Sequence, residues 1–401
     1  DETGAFRGVH QGRPGNTALC LLALLHGDFD RDSKAVQRGL ARLLQEQNSR
    51  FRCSYDIALM LMFFQAYHER EQREAGMLTA DAPAAFEQAR QRVRTTLPDT
   101  HRAMVDQLTK DLQACAVGDD GYGYTPLATT SSNSAHGHTD NSCSQYAILG
   151  LKAASLLGAP VNARAFHDEA RRLVKTYWKS SLPTVEYVHE VDQREGTDDQ
   201  RKTRSRKQSP KKGNIHPGGW AYATSQREGA SLQMTAAGVS SLTICMDELK
   251  LRGMLDDSLA FDIGLAIRGA RAHITGSYLT PERLSGQLES VNSDGMGTYY
   301  DLYAVERACV LAGIRKLDDD RDWYRIGAEA LLDTQQDDGS WVNTRQQRPE
   351  AAPPLVNFCM AILFLKQASM PVITEHKNRE PQPPAEEPRR PITPGPEDKG
   401  K

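Results

Sequence analysis

The chain has 401 residues, 25% of them charged and 39% hydrophobic, with a formal net charge of -3. Nothing in that balance draws the chain to a polyanion, so no nucleic acid is expected as a partner. No apolar run reaches the ~20 residues of a membrane helix, which excludes a membrane span and predicts a soluble chain. Seven cysteines (Cys20, Cys53, Cys115, Cys143, Cys245, Cys309, Cys359) stand singly with no Cys-x-x-Cys pair. They read as small buried hydrophobes, and neither a disulfide framework nor a cysteine zinc site is expected. The first residue is Asp1. A trimmed chain and an exported chain that has lost its signal both fit that start, and export is the expectation carried forward.

In chain order, six helices apolar on more than one face are predicted over residues 16–26, 54–67, 141–157, 231–248, 299–313 and 356–368. In the fifth, Leu302, Val305, Cys309 and Ala312 make one stripe and Tyr299, Tyr303, Glu306 and Val310 another. A helix with two useful faces belongs inside, packed on one side and lining a lumen on the other. Helices with one apolar stripe lie between them: Val36, Leu40, Leu43 and Leu44, then Phe166, Ala170, Leu173 and Val174, then Trp323, Ile326, Ala330 and Leu331. These are expected as outer helices with one face in water. Strand signals are almost absent. Residues 1–374 are therefore expected to form one all-α repeat domain. Residues 189–215, with Arg201, Lys202, Arg204, Arg206, Lys207, Lys211 and Lys212, read as a disordered basic insertion. Residues 375–401 read as a disordered, Pro-rich charged tail.

Residues 325–341, with Gly327, Leu331, Leu332, Gln335, Gln336, Gly339, Ser340 and Trp341, follow the order of the QW motif. Gly39 to Gln47 aligns with Gly327 to Gln335 without a gap, which marks an internal repeat. The chain thus resembles the terpenoid cyclase and protein prenyltransferase superfamily over about residues 12–370, most clearly after Gly218. The run Tyr299 to Arg307 resembles a helix of bacterial members of that superfamily. The resemblance implies an α/α toroid of about six helical hairpins around a central cavity. An open solenoid is the alternative; the irregular repeat spacing favours the closed ring. The catalytic signatures of the superfamily are missing: there is no Asp-x-Asp-Asp acid, no Asp-x-Cys zinc pair and no Cys-Gly-Glu-Gln thioester. Asp28 to Asp32 and Asp318 to Asp322 read as polar loops capping outer helices.

Two Gly-aromatic-x-Tyr segments, Gly121 to Tyr124 and Gly219 to Tyr222, each precede an inner helix and read as turns plugged by an aromatic. His136, His138 and Asp140 have metal-ligand composition, but Asp140 is well placed as a helix N-cap, and no metal or cofactor is expected. If the inner helices are parallel, their positive ends gather at one mouth. The candidate ligand-binding residues are Tyr55, Asp56, Asp140, Asn141, Gln145, Trp220, Tyr299, Asp301, Tyr303 and Glu306. The expected partner is a small molecule or polymer held in the cavity, or a protein. Glu306 and Arg307 are expected to pair with a neighbouring repeat. A divergent enzyme, either a terpenoid cyclase or a carbohydrate-active lyase or hydrolase, is the alternative, since scaffold alone does not set function.

Overall fold

A computed structural model describes residues 14–48, 53–125, 139–179, 184–188, 212–223, 229–279, 297–341 and 354–369. The basic run of residues 189–211, the tail after residue 369, and His136 with His138 lie outside those residues. Among the described residues are 13 α-helices, and the chain is all-α. Six are apolar nearly all round: α1 (Pro14–His26), α3 (Ser54–Tyr67), α7 (Asn141–Leu156), α9 (Leu232–Leu251), α11 (Gly297–Leu311) and α13 (Pro354–Leu365). The others are α2 (Lys34–Leu44), α4 (Glu69–Glu74), α5 (Pro83–Thr96), α6 (Asp99–Gln113), α8 (Arg164–Thr176), α10 (Asp257–Ser277) and α12 (Trp323–Thr334).

The starts of several helices are set by side chains that accept the first free amides. Ser33, Asp140, Ser231, Asp256 and Asp322 do this for α2, α7, α9, α10 and α12. The six apolar helices then pack in chain order. α1 lies on α3, α3 on α7, α7 on α9, α9 on α11, α11 on α13, and α13 back on α1. The cycle of contacts has no free end. At its closing contact the Sγ atoms of Cys20 and Cys359 are 3.6 Å apart, and all seven cysteines are buried and free. The starts of these helices share one end. Gly15 N–H donates to Asp56 at 3.2 Å, Tyr55 bonds Ser142, and Gln233 bonds Asp301. At the far end Lys366, just past α13, pairs with Asp28, just past α1.

The second layer is amphipathic. α2 packs on α1, α6 across α3 and α7, α8 and α10 on α9, and α12 on α13. Helices α5, α6 and α10 are not among the elements read from the sequence. A second difference concerns the expected insertion: its last residues, Lys212–Ile215, form strand β3, antiparallel to β2 (Val185–Val188). A strand ladder uses backbone groups alone, so Lys-Gly-Asn-Ile can pair without any apolar alternation to announce it. A second pair joins β1 (Trp178–Lys179) to β4 (Gly218–Gly219). No described helix is long and apolar enough to cross a membrane.

Two tryptophans play the same local role after helices of the second layer. Trp341 donates its indole N–H to the carbonyl of Leu331 at 2.8 Å, near the end of α12. Trp220 does the same to Leu173 at 2.9 Å, near the end of α8. Each tryptophan thus closes the turn out of an outer helix by satisfying a carbonyl left free there. Gln335 fixes the turn after α12 by donating to Gly339 O at 2.9 Å, and Gly339 adopts φ of +80°. Gly39 and Gly327, aligned by sequence, both allow close approach: a Cβ on Gly39 would overlap Leu21 of α1, and one on Gly327 would overlap Phe364 of α13.

Beneath the junction of α3 and α6, His68 Nε2 and His101 Nδ1 lie 2.9 Å apart and both rings are buried. Glu71 faces His68 and holds Arg31, while Phe64 and Tyr67 contact His101. Burial, with His101 beside it, pushes His68 down to about 4, and burial also lowers His101. Both imidazoles are therefore neutral in the fold at neutral pH. Since the folded values lie below the unfolded 6.5, the stability they contribute is present above that pH and lost as pH falls towards 4. The gap in melting temperature between wild type and a His68→Gln/His101→Gln variant should accordingly narrow or change sign between pH 6.5 and 4. Parallel melting curves across that window would contradict the assignment.

Candidate functional site

The shared end of the inner helices is largely satisfied by the protein itself. Asp140 accepts from Cys143 N–H at 2.6 Å and from the Ser142 hydroxyl at 3.0 Å. Ser54 N–H donates to Tyr124 O at 2.7 Å, and Asn141 N–H to Tyr222 O at 2.9 Å. Asn141 Nδ2 also donates to Ala221 O at 2.7 Å. The two Gly-aromatic-x-Tyr segments therefore run across this mouth, each tyrosine carbonyl capping the preceding inner helix. Their hydroxyls meet at 2.7 Å. Dipole-driven anion binding, expected from the helix starts, finds these amides engaged.

The unspent polar groups lie deeper. Arg307, on α11, is 1% exposed. Its guanidinium lies 4.1 Å from the ring centre of Tyr303 and 5.3 Å from that of Tyr146. Nη2 donates to Gln145 Oε1 at 3.2 Å. Nε and Nη1 have no hydrogen-bond partner among the described residues, nor do Gln145 Nε2, Tyr300 Oη and Asn141 Oδ1. Side chains on a helix tilt towards its start, so Arg307 reaches back over Tyr303, one turn earlier. Burial works against its charge, but the phenols of Tyr146, Tyr303 and Tyr300 more than offset that and raise its pKa. Tyr55 completes the aromatic wall, 4.7 Å from Tyr146. The result is a fixed cation with two free N–H groups, an amide donor and a phenol, within α3, α7 and α11. Such a set complements a carboxylate or phosphate oxygen, because desolvated donors with no partner are costly until an acceptor reaches them.

Of the ten candidate residues, Tyr55, Asp140, Asn141, Gln145 and Tyr303 bound or line this centre. Asp56 ties the start of α1 to α3. Asp301, partly buried, bonds Gln233 of α9; desolvation pushes it up to about 7, and its Oδ1 has no partner among the described residues. Three others point elsewhere. Glu306 accepts from the Ser369 N–H at 3.0 Å and hydroxyl at 2.8 Å, beyond α13; burial pushes it up to about 7. Tyr299 bonds Thr334 of the outer helix α12. Trp220 packs on Tyr177 and bonds α8, so it is part of the wall between layers. The expected pairing of the Glu306-Arg307 step with neighbouring repeats takes the form of Ser369 for Glu306 and Gln145 for Arg307. The unspent donors of Arg307 were not anticipated from the sequence. The available signal was a cation spaced four and seven residues after Tyr303 and Tyr300 on an otherwise apolar helix.

Among the described residues no three His, Cys, Asp or Glu side chains are grouped to hold a metal ion. Comparison with protein-family models, with curated proteins and with solved structures gave no match.

Proposed function

We propose that the chain is a ligand-binding protein built as an α/α toroid of the cyclase and prenyltransferase kind, whose polar centre at Arg307 takes the anionic head group of its ligand. The observation that carries this reading is a guanidinium 1% exposed, with two N–H-bearing nitrogens left without acceptors among the described residues. The closed cycle of inner-helix contacts and the shared end of their starts support the ring. The phenols of Tyr55, Tyr146, Tyr300 and Tyr303 would line the path of an apolar or sugar-like body behind the head group. A catalytic reading of the same fold would use Asp301, whose carboxyl titrates near 7 and so carries a proton at mildly acidic pH.

A thermal-shift series on the full chain tests binding. The probes are inorganic diphosphate, an isoprenoid diphosphate and acidic oligosaccharides, against wild type and Arg307→Met. Saturation a hundredfold above Kd stabilises by about 2.7 kcal/mol. A saturable shift from one anionic class, lost in Arg307→Met, is the expected result. Absence of any shift, or one that Arg307→Met leaves intact, would overturn the reading and favour a scaffold that binds another protein.

A further inference from the structure

A cavity of about 60 Å³ lies towards the ends of α1, α3, α7 and α11, with Tyr303 of the Arg307 centre on its wall. Its walls are apolar, with Leu22, Met62, Leu156 and Leu311 among them, and His26 and Lys152 stand at its polar side. Lys152 is the anomaly. It is 7% exposed, and its Nζ has no hydrogen-bond partner among the described residues. It makes no hydrogen bond to the nearby polar groups among the described residues. Glu248 accepts from Ser155 at 2.9 Å and from Arg252 at 3.0 and 3.1 Å. Lys152 acts on that carboxylate through space only, helping to hold it ionised against burial. Ser369 gives both its N–H and its hydroxyl to Glu306. Burial holds His26 below its ordinary value, so at neutral pH it adds no charge.

An ammonium enclosed in this way is costly unless an acceptor reaches it. The cavity offers room for one, with an apolar wall beside it. At about 10–15 Å³ per water the space corresponds to about four to six waters, the heavy-atom count of a carboxylate of two to four carbons. One cation matches one negative charge; a phosphate dianion would bring a second charge that the neutral Gln65, Tyr303 and Ser369 on the wall do not balance. We propose that this cavity binds a short aliphatic monocarboxylate, with its carboxylate on Lys152 Nζ and its chain against Leu22 and Met62. Tyr303 is shared with the Arg307 centre, but the carboxylate contact proposed here is made by Lys152 alone.

Butyrate is the probe, with butanol and butylammonium as controls at constant ionic strength, on the full chain. Wild type should show a saturable upward melting shift of about 2 °C with butyrate alone. Lys152→Met, which replaces an unpartnered buried cation by an apolar chain of similar length, should remove the shift. Peptide mapping after reductive methylation gives a measurement that needs no variant: butyrate should protect Lys152 selectively. No shift in wild type, an equal shift with butanol, a shift retained in Lys152→Met, or methylation of Lys152 unchanged by butyrate would each overturn the proposal.

Discussion

Replacing Glu169 by alanine should destabilise the fold by about 3–5 kcal/mol, the range for breaking a buried ion pair from one side. Glu169 and Arg172 form a two-pronged pair, with Nε to Oε2 at 2.8 Å and Nη2 to Oε1 at 2.7 Å. Their side chains are 2% and 4% exposed. Arg172 also sits under Gly121, where φ is +94° and a Cβ would press on the guanidinium. Its Nη1 already lacks a partner among the described residues. Without Glu169 the whole guanidinium would remain buried and uncompensated. Removing both charges differs in kind: Glu169→Met with Arg172→Leu leaves no orphan, and should recover most of the loss. Urea unfolding of the two variants gives the comparison. A Glu169→Ala midpoint close to wild type would show that water reaches this pair.

Trp220→Ala and Trp341→Ala should each lose about 3–5 kcal/mol, the range for truncating a large buried aromatic. Both rings are buried, at 1% and 4% exposure. The ring of Trp220 lies so close to Gly238 that a Cβ there would overlap it, and Trp341 packs on Phe358 with centroids 5.6 Å apart. The phenylalanine variants isolate the hydrogen bond. They keep most of the ring while removing the indole donor from the carbonyl of Leu173 or Leu331, to which Thr176 and Thr334 also donate at 3.5 and 3.1 Å, so the cost should be about 0.5–1.5 kcal/mol. Because the two tryptophans play one role on different hairpins, both positions should rank Ala below Phe below wild type. A position at which Phe equals wild type would show that its indole N–H does not hold the turn.

The six apolar helices were legible because burial on several faces writes helix-length apolar runs, and length separates such runs from strands. The outer helices were legible only in part. In α5 and α6 the apolar stripe, with Phe86 and Val93 on one and Met104 and Leu108 on the other, is diluted by arginine, glutamine and aspartate. In α10, Gly264, Gly269 and Gly276 weaken the helical signal, yet Gly269 is where Tyr177 and the His216 carbonyl come too close for any Cβ. The polar candidates at the helix starts could be named from the sequence, but not what each one meets. The backbone N–H groups of Asn141 and Ser54 are satisfied by tyrosine carbonyls that arrive from distant loops. Tyr299 and Glu306 occupy faces of α11 that only the neighbours α12 and the segment after α13 define. The same non-local packing hid Arg307: its significance comes from Gln145 and Tyr146, more than 150 positions earlier in the chain.

The measurement that bears most directly on the polar centre is diffraction from crystals of the full chain soaked in inorganic diphosphate. The account predicts an anion against Nε and Nη1 of Arg307, with Gln145 Nε2 and the Tyr300 hydroxyl turned towards it and the guanidinium still over Tyr303. An Arg307 whose free nitrogens are met by protein acceptors, with the anion elsewhere or nowhere, would contradict it.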